Sequence, residues 1–281
     1  MNQRILPVCI FLFLLFSVSG PCLFAQDEEV PGIGQPAGEV FDAELRIGLS
    51  SGLTKNFHNG DAYRLIDDPS CPVFNDFDPL WGVSAGLTGT YKFSRYTGVT
   101  AHLLYSTHPG RGRSELPNAQ VLLPSQDPNE ASIIVEQTVR AQTDIAYNLY
   151  QLGVMGTMDV VSTQYVRAGI AVGGSVAYVD EARHTIEQQL VEPENARFIN
   201  PESYPEREKG RVLVFADDEP IPDASSFRAS LRAGTYVDFR LFNFLHITPG
   251  VYFDYGLTSV VEDSDWTLNV LMYQMDLTVE L

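Results

Sequence analysis

Residues 81 to 108 constrain what this chain can fold into more than any other stretch. Trp81, Val83, Ala85, Leu87, Tyr91 and Phe93 alternate with Gly82, Ser84, Gly86, Thr88, Thr90 and Lys92. After a short break at Ser94-Arg95-Tyr96-Thr97, Val99, Ala101, Leu103, Tyr105 and Thr107 alternate with Thr100, His102, Leu104, Ser106 and His108. Successive Cβ atoms of an extended chain point to opposite sides, so a period of two means strands with two chemically different faces. Two such strands joined by a tight connection form a hairpin. Each also reaches the ~9–11 residues that a tilted strand needs to cross a bilayer.

The same alternation recurs along the chain. It predicts strands at 41–50, 81–93, 98–108, 142–158, 164–179, 227–240, 244–257 and 268–281. Within 142–158 the apolar parity changes: Ile145, Tyr147 and Leu149 share one, Leu152, Val154 and Met158 the other. A β-bulge near Tyr150 would reset the faces. Ile133 to Val139 reads as an extension of the neighbouring strand above the main sheet, and Arg211 to Ala216 as a short strand within 180–226. The connections alternate long and short, and the long ones (52–80, 109–141 and 180–226) collect Pro, Gly, Asn and acidic residues. A soluble sandwich has no reason to sort its loops this way, whereas outer-membrane barrels have tight periplasmic turns and long external loops. Aromatic residues mark both strand ends, as two interfacial girdles would: Phe41, Tyr91, Phe93, Tyr96, Phe239, Phe242 and Phe244 at the turns, Trp81, Tyr105, Tyr255 and Trp266 near the loops. The fold expected is all-β: an eight-stranded antiparallel up-and-down transmembrane β-barrel, 41–281.

The N-terminus supplies an address. Met1 to Ala25 reads as a cleaved secretory signal peptide, with Arg4 followed by the apolar run Ile5 to Val18 and a break at Gly20-Pro21. Residues 26–40 read as a flexible periplasmic leader, which puts both termini in the periplasm and the barrel in the outer membrane. Cys9 and Cys22 leave with the signal, so Cys71, in Pro69-Ser70-Cys71-Pro72, is a loop thiol without a disulfide framework. The net charge of −18 disfavours nucleic acid, whose phosphates need a basic patch.

Three segments carry a family resemblance: His102-Leu-Leu-Tyr-Ser-Thr-His-Pro-Gly110, Asn148-Leu-Tyr-Gln-Leu-Gly-Val-Met-Gly156 and Tyr252-Phe-Asp-Tyr-Gly-Leu-Thr-Ser-Val260. With them, 41–281 resembles the PorT-like family of small outer-membrane β-barrel proteins. The chain departs from the family in having Gln151, Leu152 and Gly153 where Glu, Ile and Pro are frequent, and it ends on Leu281 without a terminal aromatic. The resemblance implies location more than activity.

The face opposite the apolar one carries the candidate site, a lumen charge network of Asp42, Glu44, Arg46, Lys92, Arg167, Arg228, Arg232, Asp238, Arg240, Asp254 and Asp276. An eight-stranded barrel is about filled by side chains, so these charges are expected to pair as a structural plug rather than line a conducting pore. The first and last strands become neighbours on closure, which suggests Arg46 with Asp276. His102, Ser106 and His108 occupy successive inward positions and could supply a hydrolytic nucleophile and base, but no acid is placed to orient either histidine. Asp67, Asp68, Asp76 and Asp78 fit no defined calcium loop. No metal, phosphate-loop or cofactor motif is present, and Gly32-Ile33-Gly34 lies in the leader. The expectation is a monomeric, non-enzymatic barrel in outer-membrane lipid. It would be structural or would meet envelope or secretion-machinery proteins through its acidic external loops. The alternatives are a narrow channel for small solutes or ions and, behind it, a rim hydrolase.

Overall fold

A computed structural model describes residues 43–60, 74, 76–123, 133–190, 197–198, 206–207, 211–242, 244–262 and 264–281. The segments expected as signal peptide (1–25) and leader (26–40), with Asp42, Asp67, Asp68 and Cys71, lie outside the described residues. The first strands are β1 (Glu44–Asn59), β2 (Asp76–Pro79), β3 (Trp81–Lys92), β4 (Thr97–Thr107), β5 (Gly110–Leu123), β6 (Ile133–Ser162) and β7 (Val166–Leu190). After them come β8 (Arg197–Phe198), β9 (Glu206–Arg207), β10 (Val212–Pro220), β11 (Phe227–Arg240), β12 (Leu245–Gly256) and β13 (Thr267–Glu280).

Eight of these close into an antiparallel ring, β1-β3-β4-β6-β7-β11-β12-β13, with β13 returning to β1. Side chains sort by parity. On β3, Leu87 is 56% exposed and its neighbour Thr88 only 4%. Leu49, Leu87 and Leu103 stand level on three successive strands, and all three are exposed. The outer wall is therefore an apolar belt and the interior is polar, the arrangement hydrocarbon demands of a closed sheet.

Short hydroxyl-bearing turns close the end where β1 starts and β13 ends. Ser94 Oγ accepts the Thr97 amide at 2.9 Å, and Thr163 Oγ1 accepts the Val166 amide at 3.0 Å. Such side chains offer the chain a local partner where the ladder must stop. Tyr91, Phe93, Tyr96, Phe242 and Phe244 are exposed around this rim. At the other rim Trp81, Tyr105, Tyr150, Tyr178, Phe227, Tyr255 and Tyr273 form the matching ring.

Several expectations need correction. Where they are described, the long polar segments are largely strand, not loop. β1 continues to Asn59, and β5 fills the first half of 109–141. β7 runs on to Leu190, and the short strand expected at 211–216 is present as β10. Together β5, β6, β7 and β10 carry one side of the wall well beyond the ring. Ladder bonds form whatever the side chains are, so strands that leave the apolar belt lose the hydrophobic contrast by which they are recognised.

The parity change in β6 is not a bulge at Tyr150. Positions 139 to 159 keep one face inward without a break. Ile145, Tyr147 and Leu149 are apolar residues of the interior, while Leu152 and Met158 face outward. The extra residue sits on β7, where Asp180 is skipped between Asn148↔Glu181 and Leu149↔Val179.

Trp266 is fully buried rather than part of a girdle. It stacks on Phe77 at 5.6 Å and lies beside His58, within a cluster containing Phe74, Ile145, Ile186, Val260, Val261 and Leu268. This cluster caps the interior at the end opposite the turns.

Candidate functional site: a sealed polar column

The interior is a column of hydrogen-bonded layers. At the turn end Glu44 accepts both Arg167 Nη atoms, at 2.8 and 2.9 Å, and Arg46 Nη2 at 2.5 Å. Arg46 turns its other nitrogen to Asp238 at 2.8 Å. Asp238 also accepts Thr248 Oγ1 at 2.9 Å and faces His246 Nδ1 at 3.2 Å. His246 Nε2 and Arg240 each lie 3.3 Å from Glu280. Lys92 pairs with Asp159, whose second oxygen accepts Tyr236 Oη at 2.5 Å.

Above this layer is a cavity of about 30 Å³ lined by Arg46, Lys92, Tyr236, Asp238, Thr248, Tyr252 and Asp276. It is the size of a small water cluster. Asp276 then accepts His102 Nε2 and Gln274 Nε2, each at 2.9 Å. Next, Arg232 holds Asp254 through Nε at 2.5 Å and Nη2 at 2.7 Å, and Gln151 donates to the same carboxylate at 2.9 Å. Arg228, also buried, donates to the Leu268 carbonyl at 3.0 Å, and no described carboxylate makes a salt bridge with it.

All the described members of the charge network thus point inward, but the Arg46–Asp276 pair does not form. In the antiparallel register Arg46 stands level with Glu280 and Asp276 with Ser50, four residues or roughly 13 Å along the strand. Arg46 reaches instead across the lumen to β11. Asn56, Gln151, Asp159, Tyr236 and His246 were not foreseen, whereas Gln274 and Glu280 were expected on the polar face of the last strand but not in the network. Each lies on the inward parity of its strand: Asn56 and Asp159 stand beyond the expected strand ends, and Gln151, Tyr236 and His246 are inward residues that a search for carboxylates, lysine and arginine passes over.

The histidines acquire partners that the sequence did not place. Asn56 Nδ2 donates to the Leu80 carbonyl at 3.2 Å, which turns its Oδ1 toward His108 Nδ1 at 2.7 Å. His108 Nδ1 then carries the proton, and Nε2 is left to accept Ser106 Oγ–H at 2.9 Å. These are the distances of a nucleophile, base and orienting group. Ser106 is 0% and His108 1% exposed, however, beneath the aromatic cap. A fluorophosphonate probe should therefore leave Ser106 unmodified in the folded protein, as read by intact mass; an adduct on Ser106 would contradict a sealed column.

Outside the ring, charges pair on the exposed face of the wall extension. Arg111 meets Asp144 at 2.6 Å, Arg113 meets Asp78 at 3.1 Å and Arg183 meets Asp218 at 2.9 Å. The Asp144 carboxylate raises the Arg111 pKa through their hydrogen bond. Asp78, one of the four loop acids weighed for calcium, is thus engaged by an arginine. Among the described residues no cluster of three or more His, Cys, Asp or Glu could hold a metal ion.

No curated protein matches the chain. Among solved structures it is similar to Ail, the attachment invasion locus protein of Yersinia pestis, at 13% identity and a TM-score of 0.31, covering 85% of this chain and 99% of that one. Neisserial surface protein A gives 10% identity and a TM-score of 0.38 over 86% and 100% of the two chains. OprG from Pseudomonas aeruginosa gives 10% and 0.37 over 85% and 95%. The profile described as Outer membrane protein beta-barrel domain matches residues 24–262, most of the chain. With its closed eight-stranded ring, apolar belt and filled polar interior, this protein belongs to the outer membrane protein beta-barrel domain family.

Proposed function

We propose that this protein is a non-enzymatic, monomeric outer-membrane barrel of the PorT-like kind that acts through what it presents above the membrane. In this reading 1–25 is removed on export, 26–40 is a periplasmic leader, and the turn end faces the periplasm. The segments 52–80, 109–141 and 180–226 would then face the medium and meet a protein of the envelope or its secretion machinery.

The observation that carries the reading is the contrast between the two halves of the molecule. Among the described residues the ring is filled by hydrogen-bonded charged layers around a cavity of about 30 Å³. The extension built from β5, β6, β7 and β10 has a mixed-charge outer face and reaches beyond the belt. Its edges are poor templates for strand addition. Among the described residues, the stretch of β5 paired on one side only contains Pro117, and that of β10 ends in exposed Asp217-Asp218-Glu219 with Asp218 at φ 56°. Proline, charge and irregularity blunt an edge. A partner would accordingly be met by a face and its side chains.

Planar-bilayer recording tests the sealed barrel. The folded, heat-modifiable protein should add no conductance above the bare membrane, and discrete channel steps would favour a narrow channel instead. For the partner, a photo-crosslinker at exposed Arg140 or Gln189 should trap an envelope protein. The same group at Leu87, in the belt, should trap only lipid. Equal trapping at all three sites would remove the assignment of binding to the extension.

A further inference from the structure

The ladder between β11 and β12 has a gap at one level of the belt. Ser230 to Tyr236 pair with Gly256 to Gly250, and pairing resumes at Phe239↔Ile247. Between them Val237 faces Pro249 and Asp238 faces Thr248, without a bridge. The other neighbours of these residues are intact: β7 pairs through Val237 and Asp238, and β13 through Thr248 and Pro249.

The register explains the gap. The Leu257 amide donates to Ala229 and the Leu241 amide to Leu245, both at 2.9 Å. In an antiparallel pair, directly bonded positions recur every second residue, which makes Val237–Pro249 one of them. Pro249 has no N–H to give, so the Val237 carbonyl loses its ladder donor inside the belt. Proline is otherwise confined to sheet edges and bulges for this reason.

Side chains bridge the same level from inside. The Asp238 carboxylate, on β11, accepts Thr248 Oγ1 at 2.9 Å and lies 3.2 Å from His246 Nδ1, both on β12. Arg46, from β1 across the lumen, fixes that carboxylate at 2.8 Å. Directly behind the gap lies the small cavity lined by Tyr236, Asp238, Thr248 and Tyr252, so this level lacks both a backbone bond in the wall and full packing behind it.

We propose that the β11–β12 seam between Val237 and Pro249 is where the barrel wall opens locally, and that Asp238, acting through Thr248 and His246, is the latch that holds it closed. The device is a division of labour. Elsewhere in this seam each directly bonded pair is held by two backbone bonds, whereas here Pro249 leaves one of the two and a carboxylate held by three side chains supplements it. Local opening follows the weakest set of bonds rather than global stability.

Amide hydrogen exchange in micelles tests this, because Leu231, Ala233, Val237 and Phe239 all direct their amides to β12. The amides of Val237 and Phe239 should exchange at least about tenfold faster than those of Leu231 and Ala233. Thr248→Val, which removes one latch bond without stranding a charge, should speed Val237 and Phe239 further and leave Leu231 unchanged. Pro249→Val restores the donor and should slow the pair toward the Leu231 rate, making Thr248→Val silent in that background. Uniform exchange along the wild-type seam, or rates at Val237 and Phe239 untouched by Pro249→Val, would overturn the weak seam. An unchanged rate in Thr248→Val would overturn the latch. Should Pro249→Val fail to fold, the wild-type profile and Thr248→Val still decide both points.

Discussion

Replacing Arg232 by alanine is expected to destabilise the barrel by about 3–5 kcal/mol, because it strips a buried carboxylate of its counter-ion. Arg232 is among the largest fully buried side chains, and it grips Asp254 through two nitrogens. Without it Asp254 keeps Gln151 as its one side-chain donor among the described residues, in a place water reaches poorly. The measurement is urea unfolding in micelles, followed by the heat-dependent shift on a gel. The double variant Arg232→Met with Asp254→Leu should recover more than half of the loss, since an apolar pair of similar volume avoids desolvating two charges. Additive losses in the two single variants would show that the pair is not coupled.

On the other face of the wall, Leu87→Arg should cost about 2–4 kcal/mol, the penalty of a cation at the depth of the bilayer centre. Tyr91→Arg, four residues nearer the turn rim on the same face, should cost roughly 0–1 kcal/mol, since long basic side chains reach the interface. The ratio between the two, read from unfolding in lipid vesicles, maps the belt. Equal costs would mean that Leu87 does not sit deeper in hydrocarbon than Tyr91.

How much of this was legible depends on what surrounds each residue. The hairpin of β3 and β4 and the strands β11, β12 and β13 were read to within a residue or two. Lipid on one side and a wet interior on the other impose a contrast at every step. β5, the upper parts of β6 and β7, and β10 stand outside the belt, though 133–139 and 211–216 were read as strand. There Thr143, His184 and Gln188 are buried alongside Ile145 and Ile186, so burial no longer follows hydrophobicity. One skipped residue, Asp180, then inverts the parity of everything beyond it on β7 and defeats counting. Trp266 shows the same limit: an aromatic near a strand end fits a girdle or a cap, and only its stack on Phe77 tells which.

By itself the sequence determined the eight crossing strands, their antiparallel order, the outward apolar face and the inward charges, because each follows from local periodicity and from which connections are short. Only the tertiary structure decided which charges meet. Arg46 of β1 reaches Asp238 of β11, Lys92 of β3 reaches Asp159 of β6, and His102 of β4 reaches Asp276 of β13. None of these pairs lies on strands adjacent in the ring. Their levels are set by the stagger of the strands when the sheet closes on itself, a quantity that belongs to the whole ring and leaves no mark in any one segment.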